Sequence, residues 1–199
     1  MSPDRQCTAF VGDRLVASGP LREVARAAAT TPAHNGGAHI VFDDDTGEPI
    51  ELDLRGTVQD VLARLACSEP ATAAEMPRGP GRPRLGVVAR EVTLLPRHWE
   101  WLGTQPGGAS VTLRKLVEEA RRANAGRDRI RQSQNVAYRF MSVMAGDLPG
   151  FEEATRALFA GAQERFERMI EPWPGDVSQH ARKLAAAAFG TDAAAPATS

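Results

Sequence analysis

Residues Gln6-Cys-Thr-Ala-Phe-Val-Gly-Asp-Arg-Leu-Val-Ala-Ser18 read as two short strands folded about Gly12-Asp13, because β-branched and aromatic residues flank a dipeptide suited to a tight turn. Pro20 opens a helix through Ala29, with Leu21, Val24, Ala25 and Ala28 on one face. His39–Phe42 and Ile50–Leu54 form a second strand pair, and in the latter Ile50, Leu52 and Leu54 alternate with Glu51 and Asp53. Thr57 caps a helix carrying Val58, Val61, Leu62 and Leu65. The order ββαββα predicts a compact module over residues 1–66, with helices on one face of an antiparallel sheet.

Beyond that module the pattern changes. Residues 67–86 are rich in Pro, Ala and Gly without periodicity and read as a disordered linker. Val87–Leu95 is the next strand candidate. Pro96 begins a helix to about Gln105 with Trp99 and Leu102 buried, and Pro106-Gly-Gly-Ala109 turns the chain. Ser110 caps a helix with Leu113, Leu116, Val117 and Ala120 on one side and Arg114, Lys115, Glu118 and Arg121 on the other. Three more helices follow over Asp128–Met144, Phe151–Ile170 and Val177–Phe189, and residues 190–199 read as a disordered tail. The expected fold is α+β: the N-terminal module, a basic linker, a short strand and a mostly helical C-terminal part. The divisions are 1–66, 67–86, 87–126, 127–189 and 190–199.

The net charge of −1 conceals an uneven distribution. Residues 1–66 carry 6 basic and 10 acidic groups, residues 67–131 carry 12 and 7, and residues 132–199 carry 6 and 8. A positive middle points to an anionic partner. All but two of the 24 basic residues are Arg, so a compositional bias toward Arg accounts for some of them. Cys7 and Cys67 form no Cys-x-x-Cys pair and fit a reducing cytoplasm. No apolar run approaches membrane-spanning length, and the N-terminus lacks a secretory pattern; a cytoplasmic protein without a membrane partner is expected.

The basic middle begins with Arg78-Gly-Pro-Gly-Arg-Pro-Arg84. Gly81-Arg82-Pro83 resembles an AT-hook core, in which Pro holds the chain extended so that Arg enters a narrow A·T minor groove. Further on stand Leu95-Pro96, Trp99 and Leu102, Gly108-Ala-Ser110, and Leu113-Arg114 with Leu116-Val117. Through these residues, positions 90–122 resemble the ribbon-helix-helix DNA-binding family. That resemblance implies a homodimer whose paired strands lie in the major groove of double-stranded DNA, with Ser110 and Arg114 gripping phosphate. On this reading Arg78, Arg82 and Arg84 supply sequence-tolerant affinity, and Arg90, Thr93, Arg97, Ser110, Arg114 and Lys115 position the duplex. The alternative is a non-enzymatic protein-interaction or adaptor module in which Trp99 and Trp101 form an interface.

Other motifs point away from catalysis. Asp43-Asp-Asp-Thr-Gly47 lacks the alternating acidic spacing of a calcium loop and reads as a turn. His34, His39, His98 and His180 do not cluster in sequence, and there is no paired-carboxylate, nucleophile–base or Gly-rich phosphate motif. Neither an enzyme nor a cofactor is expected. Across its length, through Cys7-Thr-Ala-Phe10, Asp53-Leu-Arg-Gly56, Leu85 to Trp99 and Tyr138-Arg-Phe-Met141, the chain is similar to an uncharacterised bacterial family (domain of unknown function 2239). That similarity implies no established activity.

Overall fold

Four antiparallel strands build the sheet: β1 (Gln6–Val11), β2 (Arg14–Pro20), β3 (His39–Asp43) and β4 (Pro49–Ile50), in the order β2-β1-β3-β4. The computed structural model describes residues 5–32, 37–67, 88 and 90–190. The remaining elements are α1 (Leu21–Thr30), α2 (Val58–Cys67), α3 (Pro96–Thr104), α4 (Gly108–Met144), α5 (Phe151–Phe159), α6 (Gln163–Ile170) and α7 (Gly175–Ala185), closed by a 3-10 turn at Ala186–Ala188. The molecule is α+β, with the sheet near its N-terminus and helices after it. It divides into two compact units, one made of residues 1–72 with 128–199 and the other of residues 73–127.

In the first unit both faces of the sheet are buried. Cys7, Ala9 and Val41 pack against Leu21 and Val24 of α1. Phe10 and Phe42 point to the other face, into a core with Phe140 and Met141 of α4, Leu158 of α5, Phe166 of α6 and Val177 of α7. Alternation along a strand sends successive side chains to opposite faces, so one strand serves two layers. The first 66 residues therefore share their core with residues 128–189. Phe10, Phe42 and Phe140 meet at ring separations of 5.0–6.2 Å, within the range of favourable aromatic pairs.

Local chemistry fixes the element ends. Asp60 accepts from the Thr57 backbone N–H and the Asp60 N–H points back to Thr57 Oγ1, a reciprocal cap at the start of α2. At Asp43, Oδ1 accepts from the Asp45 and Thr46 backbone N–H groups at 2.6 and 3.1 Å, and Gly47 takes φ +71°. The acidic run is a turn, as its sequence indicates. Among the described residues no group of metal-binding side chains forms, and no helix is long and apolar enough to cross a membrane.

Several expectations need correction. The strand expected over Ile50–Leu54 stops at Ile50. There Asp53 Oδ1 accepts from the Arg55 N–H and Arg64 bonds the carbonyls of Asp53 and Arg55, and such local bonds compete with a ladder. The strand expected over Val87–Leu95 does not form among the described residues, since no neighbouring strand supplies ladder bonds to residues 90–95. Trp99, expected to be buried, is 44% exposed, while Leu102 is buried as expected. The helix expected to be capped by Ser110 starts at Gly108 and continues without a break to Met144, so that the helix expected separately over Asp128–Met144 is its continuation. Ala and Arg are strong helix formers, and the lone Gly126 costs only about 1 kcal/mol. The helix expected over Phe151–Ile170 is two. Gly161 adopts φ +67°, the Ala162 N–H reaches the Ala157 carbonyl and the Gly161 N–H reaches the Leu158 carbonyl, the bonding of a Schellman C-cap.

Candidate nucleic-acid interface

The unit spanning 73–127 carries ten basic and five acidic residues, while the rest of the chain carries fourteen and twenty. The structural division therefore coincides with a division of charge, +5 against −6. Each unit holds both paired and unpaired cations; in the first, Arg14, Arg22, Arg26, Arg129, Arg168 and Arg182 meet no carboxylate among the described residues. In the first unit Arg5 is paired with Asp43, Arg139 with Glu48, Arg156 with Glu152 and Glu153, Arg165 with Glu153 and Lys183 with Asp44. In the second, Arg90, Arg97, Arg114, Lys115 and Arg127 meet no carboxylate among the described residues; Arg121 and Arg122 share Glu118.

Two elements hold these side chains. Pro96 sits at the first position of α3, where its missing N–H costs nothing, and places Arg97 and His98 in the first turn. Gly107 and Gly108, at φ +87° and +74°, turn the chain into α4. The first turn of α4 contains no acidic residue. Arg114 donates from Nε to the Ser110 carbonyl and from Nη2 to Ser110 Oγ, both at 3.1 Å. The structure thus brings Ser110 and Arg114 together, with Lys115 exposed beside them. Arg90 and Thr93 are exposed in the irregular segment before α3, where Leu95 is extended at φ −67°, ψ 149°. Arg78, Arg82 and Arg84 lie outside the described residues, as does His34.

The unit is also poorly closed. Among its described residues Leu102 is the only buried hydrophobic side chain, whereas Val88, Val92, Leu95, Trp99, Trp101, Leu116 and Val117 are exposed.

Sequence spacing concealed a second polar cluster, in the first unit. His180 of α7 is buried, with its ring edge-on to Phe10 and Phe140 at 5.5 and 4.6 Å. Its Nε2 has no hydrogen-bond partner and lies 3.8 Å from Asp44 Oδ1. That carboxylate accepts from Thr8 Oγ1 at 2.7 Å and Lys183 Nζ at 2.8 Å, and Thr8 Oγ1 lies 3.0 Å from Ser18 Oγ. Burial, with the nearby Lys183 ammonium assisting and Asp44 opposing, pushes the His180 pKa down to about 4. The sequence signal that survives is the i, i+3 pair His180 and Lys183, one helical turn apart.

Comparison with known proteins gives one match. A family model described as an uncharacterized protein conserved in bacteria, domain of unknown function 2239, matches residues 6–185, and the chain belongs to that family. No curated protein and no solved structure matches it.

Proposed function

We propose that this member of the family is a DNA-binding protein, a regulator working in the cytoplasm, whose middle unit contacts phosphates and groove. The observation that carries the reading is the coincidence of charge with structure: a +5 unit in which Arg90, Arg97, Arg114, Lys115 and Arg127 meet no carboxylate among the described residues, in a chain otherwise at −6. Free cations near a polyanion release its counterions, and that release drives binding. Arg90, Arg97, Arg114 and Lys115, with Ser110 and Thr93, position the duplex, and Arg78, Arg82 and Arg84 add sequence-tolerant affinity. Two copies pair residues 90–95 as antiparallel strands in the ribbon-helix-helix manner. Pairing supplies the ladder partner that the single chain lacks and covers part of its exposed apolar surface.

Fluorescence anisotropy of the full-length protein on random and A·T-rich duplexes, at low and moderate salt, tests this. Salt-sensitive binding is expected. Replacing Arg90, Arg97 and Lys115 together by Ala should weaken it on every sequence and flatten the log–log salt slope by about 3, near 0.9 per phosphate contact. Absence of binding at low salt would overturn the reading. A protein-interaction adaptor is the second reading. It is favoured by the pairing of Arg121 and Arg122 with Glu118 and by the exposure of Leu116 and Val117.

A further inference from the structure

Trp101 is half exposed on α3, an unusual position for the largest apolar side chain. A helix advances about 100° per residue, so residues three and four apart share a face. Arg97 and His98 therefore flank Trp101, while Trp99 lies on the far side of the helix. At the end of α3, Thr104 Oγ1 and Gln105 Nε2 donate to the Trp101 carbonyl at 2.8 and 3.4 Å, satisfying a carbonyl of the last turn. Leu102 anchors α3 inward. Arg97 has no carboxylate partner among the described residues and His98 is exposed. A flat aromatic ring in water with a free guanidinium one turn away matches a base and its adjoining phosphate.

We infer that Trp101, with Arg97 and His98, is a base-stacking site for single-stranded DNA. The inference rests on the nucleic-acid reading of the same unit and adds to its duplex contacts a site for unpaired bases. Bases within a duplex are stacked on one another and offer no face to an indole; unpaired bases do. The positive charge of the unit supplies complementarity to the phosphates. An aliphatic partner would match Val117 or Leu116 better than this aromatic and cationic face.

The test uses the full chain with an oligothymidylate and with a duplex of equal length, read by tryptophan emission and by anisotropy. Trp173 is buried with its indole N–H on the Pro149 carbonyl at 2.9 Å, so quenching reports on Trp99 and Trp101. Tighter binding of the single strand with quenching is expected. Trp101→Ala should lower single-strand affinity roughly 5- to 150-fold, Trp101→Phe should keep most of it, and Trp99→Ala should change little. Equal affinity for both forms, or unchanged single-strand binding in Trp101→Ala with duplex binding intact, would overturn the inference and leave the DNA-binding reading standing. Loss of self-association in Trp101→Ala, seen by sedimentation without any change in DNA affinity, would assign this face to a second copy and overturn it as well. A protein that binds neither form overturns both readings.

Discussion

His180 gives the clearest single-residue consequence of the core. Its folded pKa of about 4 lies below the ordinary 6.5, so between these values the unfolded chain binds the proton more readily. The stability contributed by the neutral ring is complete above about pH 6.5 and is lost as pH falls toward 4. His180→Phe, which keeps a ring between Phe10 and Phe140, should leave the melting temperature at pH 7 little changed. It should also shrink the drop in that temperature between pH 7 and pH 4.5. An equal drop in both proteins would show that another group controls acid stability. The residue was invisible as a site in the sequence because its neighbours, Asp44 and Phe10, lie far from it along the chain. Asp53 offers a contrast: the Arg55 guanidinium beside it holds its carboxyl well below the usual range, yet the pair is solvent-exposed, and exposed pairs matter little to stability.

Among the elements, two glycines in left-handed conformations separate strain from crowding. Gly47 has φ +71°, and a Cβ there would collide with the Val136 carbonyl oxygen of α4; Gly161 has φ +67° with open space around it. Gly161→Ala should destabilise by about 1 kcal/mol, the backbone strain alone. Gly47→Ala should cost on the order of 3 kcal/mol or more, because the turn must also leave the helix. Urea unfolding of the two variants checks the ranking, and equal losses would refute the close approach. What sequence made legible follows the same physics. The β1–β2 turn, α1 and the Thr57 cap of α2 were readable because their determinants lie within a few residues of each other. The unbroken α4 was not: its halves read as separate helices, the second from Asp128, and only the run of helix formers on both sides of Gly126 joins them. The segment 90–95 was read as a strand from its alternation, but alternation supplies no partner. Of the proposed interface, Ser110 with Arg114 was named through the ribbon-helix-helix resemblance, while the exposure of Trp99 was not legible, because burial is a tertiary property.

For the whole molecule, the division into units makes binding and stability separable. Replacing residues 73–127 by a flexible Gly/Ser linker should leave a cooperatively unfolding protein, with the sheet and α5–α7 intact, that has lost its affinity for DNA; calorimetry and anisotropy together check this. Phe10→Ala, by contrast, should cost about 3–5 kcal/mol and weaken the layer between the sheet and the C-terminal helices, because its ring meets Phe42, Phe140 and His180. The contacts that close this core are distant in sequence: Ser18 faces Lys183 across 165 residues, and the Leu15 N–H bonds Asp176 across 161. That separation sets the order of events during synthesis. The strands carrying Phe10 and Phe42 leave the ribosome long before α7 exists, so one face of the sheet stays incompletely covered until α4 to α7 have been made. Folding is then a late and nearly single event. A nascent chain stalled before Gly175 would lack the helix that brings His180 and Val177 onto this face, so Phe10 would miss one of its ring partners even with α4 in place.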